Sequence, residues 1–186
     1  MTAARLVRGK GTHRVIDAFA RVADRVPDAR LIVLGSGPER TRLEQLVRHL
    51  RLADRVRFAG NVPHDEVYRE LKSASVFMLL STWPSERLPN VVKEAMACGC
   101  TCIVSDSPGI LELMSCLQQP QIVPGGDPAR AATLLQHVLA HPARFEADRA
   151  RGIDYCRTHL DAMNVAGKRV EAWLDAARRR PAGGKL

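Results

Sequence analysis

Aromatic residues make up only 4% of this chain, with two tryptophans, two tyrosines and four phenylalanines. That is too few for the row of stacking platforms a single-stranded nucleic acid needs. No run approaches the roughly 18 apolar residues of a membrane span, and the N-terminus lacks the basic, apolar and small-residue succession of a secretory signal. The five cysteines are odd in number, in a chain of 186 residues that needs no covalent staples. Reduced thiols in a cytoplasmic protein are therefore expected. Several chemistries lack their residues. There is no GxxxxGK[ST] string for an NTPase phosphate loop and no Gly-x-Ser-x-Gly elbow for a hydrolase. Cys98, Cys100 and Cys102 alternate as buried thiols do, without the spacing of structural zinc. His137 and His141 lie four apart, but the glutamate of a zinc-protease helix is missing between them. No metal is expected.

What is present is 46% hydrophobic and 26% charged, the composition of a folded domain. The net charge of +8 is concentrated at one end. Arg178, Arg179, Arg180 and Lys185 supply four of the eight with no acid after Asp175. A terminal run of this kind reads as a solvated tail, so no nucleic-acid partner is expected. Contact of the tail with the inner face of a membrane is a secondary reading without further support.

Short β-branched runs alternate with longer amphipathic ones, the pattern of βα units. Leu31–Leu34, Arg55–Phe58, Val76–Leu80, Ile103–Val104 and Gln121–Val123 read as strands, and Arg5–Val7 as the end of a short first strand. Val15, Ile16, Phe19, Ala20, Val22, Ala23 and Val26 form one stripe, which predicts a core-facing helix over 12–26. Further helices are predicted over 39–50, 64–73, 90–98 and 127–139, then over 142–160 and 163–179 as packing helices. The fold class is α/β: a doubly wound, Rossmann-like, mainly parallel sheet of about six strands with flanking and extra C-terminal helices. Residues 1–140 are read as the ligand-binding domain, 141–180 as its packing helices and 181–186 as a disordered end.

In such sheets ligands bind beyond the carboxyl ends of the strands, so residues at strand exits are the site candidates. Arg5, Lys10 and Gly11 combine two cations with a glycine that permits close backbone approach to a diphosphate. Gly35 and Gly37 form a turn into a helix whose N–H groups suit an anion or serve only a tight turn. Arg40 occupies the third glycine position, so this is no dinucleotide fingerprint. Glu86 sits in a loop and Glu94 one to two turns into the next helix. Both can face one crevice, where carboxylates would accept hydrogen bonds from ribose and sugar hydroxyls.

In order and spacing, ARLVRGKG, LIVLGSGPE, VRFAGNVP, VFMLLST, SERLPNVVKEAMACGC and IVSDSPGILELM closely resemble the C-terminal half of a family 4 glycosyltransferase of GT-B architecture. The resemblance covers about residues 3–140. It implies retaining transfer from a nucleotide sugar, UDP- or GDP-linked, with no metal and no other cofactor. Arg5 and Lys10 would hold the diphosphate, Glu86 the hydroxyls of the transferred sugar and Glu94 those of the ribose. Glu86, Arg5 and Lys10 are thus the implied catalytic residues. The backbone around Gly60, Asn61 and Val62 would meet the base, while Leu88, Pro89, Asn90 and Val91 match the loop that leads to Glu94.

Three positions depart from the pattern: Arg87 and Pro108 each replace a usual glycine, and Thr101 a usual proline. The resemblance also implies an N-terminal acceptor domain, in the same chain or another, without which transfer should be negligible. Two other readings remain open at this point. One is a nucleotide-sugar binding module without catalysis, and the other a nucleotide-sugar epimerase of the same architecture.

Overall fold

The computed structural model describes residues 1–83 and 86–160. The expected helix over 163–179, the expected disordered end and the basic run 178–185 lie outside the described residues. Among the described residues six parallel strands form two three-stranded groups. The first is β1 (Thr2–Ala3), β2 (Leu31–Leu34) and β3 (Val56–Gly60), paired in that order. The second is β4 (Val76–Leu79), β5 (Thr101–Ser105) and β6 (Gln121–Val123).

Met1 joins the two groups. Its nitrogen donates to the Val76 carbonyl at 2.6 Å and its carbonyl accepts from Met78 N–H at 2.8 Å. Read across this seam the order is β3-β2-β1-β4-β5-β6, a doubly wound sheet whose direction of growth reverses between β1 and β4.

All four residues of β4 are buried, as expected for a parallel strand covered on both faces. Val76, Met78 and Leu80 point into one core and Phe77 and Leu79 into the other, the period of two that a strand imposes. Helices α1 (Thr12–Ala23), α2 (Arg40–His49) and α6 (Pro128–Ala140) cover the first face. Helices α3 (His64–Ser73), α4 (Asn90–Ala97) and α5 (Pro108–Met114) contribute to the second. Helix α7 (Glu146–Tyr155) packs against α4.

The first strand is the clearest departure from expectation. It is Thr2–Ala3, and the expected Arg5–Val7 has already left the sheet. Ala4 N–H makes the last sheet bond, to Leu34 O at 3.1 Å, and Leu6 N–H then turns to Ser36 O at 2.8 Å. Arg5 is thereby delivered to the strand exit instead of being held in the ladder.

Helix α1 stops at Ala23, short of Val26, because Pro27 restricts the residues before it. Arg55 ties down the turn that follows, donating to Ala23 O at 2.8 Å, Val26 O at 2.6 Å and Ala29 O at 2.9 Å. Its guanidinium also lies 5.5 Å from the centre of the Phe19 ring. Asp148, buried in α7, holds the turn before β6 by accepting from the N–H groups of Gln118 and Gln119 at 2.9 and 2.8 Å. Helix α5 was absent from the elements read in the sequence; Pro108 occupies its first turn, where the missing N–H costs nothing.

Cys100, Cys102 and Cys156 are buried free thiols. Burial pushes Cys100 and Cys156 up to about 11 and Cys102 well above its ordinary value of 9.0. The folded state therefore holds more protons than the unfolded state above pH 9. This contribution is complete below that pH and is lost as the pH rises towards 11, by at most about 1.4 kcal/mol per pH unit per thiol. Urea titrations at pH 8 and pH 10.5 should show the loss, and Cys156→Ala should reduce it. An unchanged pH difference in that variant would contradict the assignment.

Candidate functional site

The crevice lies where the sheet reverses direction, between the exits of β1 and β4. From β1 the chain runs through a 3₁₀ turn, Arg8–Lys10, into Gly11 and α1; from β4 it runs through Leu80, Ser81 and Thr82. The two loops are bonded together. Gly9 O accepts from Thr82 N–H at 2.8 Å and from the Ser81 hydroxyl at 3.2 Å. Gly11 has φ +71°, and a Cβ there would lie 1.9 Å from Leu80 O. The glycine expected to admit a diphosphate is thus also required by the contact of one loop with the other.

This docking brings Lys10 to Glu86, 76 positions away, and their side chains form a direct ion pair. Glu86 is only 11% exposed and Lys10 26%. Lysine has three N–H donors and only one is committed to Glu86 Oε1. Among the described residues Glu86 Oε2 is buried with no hydrogen-bond partner. Such atoms are rare in folded proteins, since an unsatisfied buried acceptor costs about 1–3 kcal/mol. Glu86 lines a cavity of about 330 Å³ together with Trp83, Arg87, Pro89, Asp106 and Ser107. Ser105 and Asp106 close its far side, with Asp106 Oδ1 accepting from Gly125 N–H at 2.7 Å.

A second cleft, of about 490 Å³, opens at the exits of β1, β2 and β3. Arg5, Gly35, Gly37, Asn61, Val62, Val91 and Glu94, all site candidates from the sequence, line it. Arg5 is exposed and has no ion pair among the described residues. Gly35 and Gly37 let the second loop lie on the first: a Cβ would come within 2.0 Å of Ala4 O at Gly35 and 2.4 Å of Leu6 O at Gly37. Gly60, with φ +75°, ends β3 and accepts from Gly35 N–H at 2.7 Å. Glu94 is half-buried on α4, and its Oε1 lies 3.7 Å from His64 Nε2. His64, which the sequence reading passed over, also lines this cleft.

A family profile described as glycosyl transferases group 1 matches residues 1–157. The chain belongs to the group 1 glycosyl transferases. Over 105 residues, 56% of this chain and 26% of the relative, it is 40% identical to the N-acetyl-alpha-D-glucosaminyl L-malate synthase of Bacillus anthracis. Over 163 residues, 88% of this chain and 42% of the relative, it is 26% identical to the 2-deoxystreptamine glucosyltransferase of Streptomyces kanamyceticus. Among solved structures, HepE of Anabaena in complex with UDP and glucose superposes with a TM-score of 0.80. That likeness covers 94% of this chain and 47% of HepE at 21% identity. The chain therefore spans between a quarter and about half of the length of these proteins. Its fold is that of a Rossmann-like domain of GT-B glycosyltransferases.

Within this group 1 domain the two acids of the Glu-x7-Glu spacing do not share one cavity. Glu86 faces the 330 Å³ cavity and Glu94 the 490 Å³ cleft. Of the loop between them, Leu88 packs on the core, Pro89 precedes α4 and Asn90 opens it. The glycine-replacing residues are accommodated without closing the cavity. Arg87 is exposed at its wall, and its carbonyl accepts from the Ser107 hydroxyl at 2.8 Å. Gly109 is the glycine that is needed here, because a Cβ would lie 2.6 Å from Arg87 O. Thr101, in place of the usual proline, begins β5 and donates its N–H to Ser75 O at 3.1 Å, a bond proline would lack. Trp83 lies over Gly9 and is 46% exposed, and no sequence pattern marks it.

Proposed function

We propose that this chain is the donor-binding part of a retaining, family 4 glycosyltransferase that takes a nucleoside-diphosphate sugar. The observation that carries the reading is the Lys10–Glu86 pair with its two unspent functions. Lys10 keeps N–H donors for a phosphate oxygen, and Glu86 Oε2 is a buried acceptor that lacks a donor among the described residues. A sugar diphosphate supplies both, with a hydroxyl for the carboxylate and phosphate oxygens for the ammonium. Arg5 adds a second cation from the cleft wall, Glu94 accepts from the ribose hydroxyls, and backbone around Gly60, Asn61 and Val62 meets the base. As the bond from the anomeric carbon to the diphosphate breaks, negative charge grows on the leaving group. The cations of Lys10 and Arg5 stabilise that charge, and Lys10, already held by Glu86, does so without reorganisation during the step.

The acceptor is assigned to a further domain, in the same polypeptide or in another. Positioning donor against acceptor supplies much of the rate, so the chain alone should bind donor but transfer sugar negligibly. A binding module without catalysis would behave identically until such a domain is added; an epimerase would interconvert the sugar with no acceptor at all.

Calorimetric titration with UDP, GDP and ADP is the direct test. One nucleotide should bind, and Glu94→Ala should weaken it about tenfold through loss of hydrogen bonds to the charged carboxylate. Failure of all three to bind the folded chain would reject the donor assignment.

A further inference from the structure

Arg87 stands where group 1 resemblance leads one to expect glycine, and its surroundings give that charge a use. Its main chain is fixed by the Ser107 hydroxyl and by the close approach of Gly109. Its exposed side chain lines the same 330 Å³ cavity as Glu86 and has no ion pair among the described residues. Of the two carboxylates in the lining, Glu86 is paired with Lys10, while the exposed Asp106 accepts from the Gly125 N–H at one oxygen and forms no ion pair with Arg87. Arg87 is thus a cation without an ion-pair partner among the described residues, on the wall of the cavity that Glu86 also lines. The exposed indole of Trp83 offers an apolar face for a sugar ring in the same cavity. Guanidinium is a planar fork matched to a carboxylate, to which it donates two parallel hydrogen bonds.

Resting on the donor reading above, we infer that the transferred sugar carries a carboxylate, as a uronic acid does, and that Arg87 receives it. The test uses ligands with and without that group. The folded chain is titrated by NMR with glucuronic acid 1-phosphate and glucose 1-phosphate, which lack a base, and by calorimetry with UDP, GDP and ADP. The uronate should bind about tenfold more tightly than the hexose, the difference expected of one charge-assisted contact. Arg87→Gly should abolish the difference and Arg87→Lys should retain part of it; the exposed lysine should leave the melting temperature unchanged, and glycine should lower it by only a few degrees through added freedom of the unfolded chain. Equal affinities, or a preference that survives Arg87→Gly, would overturn the assignment while leaving nucleotide binding intact. Binding of no nucleotide with an Arg87-dependent uronate preference would instead overturn the donor reading, and with it the transferred sugar, leaving a carboxylate site at Arg87; binding of neither would overturn both. Equal sugar affinities with Arg87-dependent binding of glycerol 3-phosphate would move the anion to the acceptor, and so also reject the inference.

Discussion

Lys10→Ala should weaken binding of the preferred nucleoside diphosphate on the order of 100-fold while leaving the weak binding of the free nucleoside unchanged. The ammonium is held at the strand switch point by its bond to Glu86 and is only 26% exposed, so its charge acts on phosphate with little screening. The same substitution strands a carboxylate that is 11% exposed. Removing one partner of so largely buried a pair should cost about 3 kcal/mol of stability. The double variant Lys10→Ala with Glu86→Gln separates the two effects. It should recover stability, because no buried charge is left unpaired, and it should not recover nucleotide affinity. Calorimetry and urea titration of the three proteins check this together. Wild-type diphosphate affinity in Lys10→Ala would remove Lys10 from the site, and recovery of affinity in the double variant would show that the loss acted only through Glu86.

Strands β2 and β6 were legible because each is a short, largely apolar run stopped by a turn-forming residue. Leu31–Leu34 stops at Gly35 and Gln121–Val123 at Pro124, and the structure reproduces both boundaries. Such runs carry their own signal, since burial on two faces leaves no polar alternation to read. Strand β1 carries none. Two residues, Thr2 and Ala3, are strand only because Val33 and Leu34 pair with them, so Arg5–Val7 offered the stronger local pattern in the wrong place. Helix α5 is similarly brief, with Ile110, Leu113 and Met114 its buried residues. The candidate residues were legible as motifs, but their mutual arrangement was not. Nothing local links Lys10 to Glu86, or assigns Glu86 and Glu94 to different cavities; the docking of the loops after β1 and β4 does both. Trp83 and His64 left no trace because a single exposed aromatic or imidazole has no period to break.

Gly11→Ala and Gly125→Ala should differ several-fold in cost although both residues occupy the left-handed region, at φ +71° and +61°. A left-handed alanine costs about 1–2 kcal/mol for backbone reasons alone. At Gly125 nothing lies within 4 Å of the added Cβ, so that backbone term should be the whole effect. At Gly11 the methyl would lie 1.9 Å from Leu80 O and 2.6 Å from its carbon, atoms of main chain that follow β4 and cannot rotate away. One loop must then move off the other, at a cost on the order of 4 kcal/mol or more, the range of severe core defects. The displacement acts on function as well, since Lys10 immediately precedes Gly11 and the Leu80 side of the contact leads to Glu86. Gly11→Ala should therefore lose nucleotide affinity even under conditions where it remains folded, whereas Gly125→Ala should keep it. Urea titration and calorimetry on the two variants measure both consequences. Similar destabilisation of the two, or undiminished binding by folded Gly11→Ala, would mean that the loops are not held to each other through this glycine and that the Lys10–Glu86 pair forms independently of it.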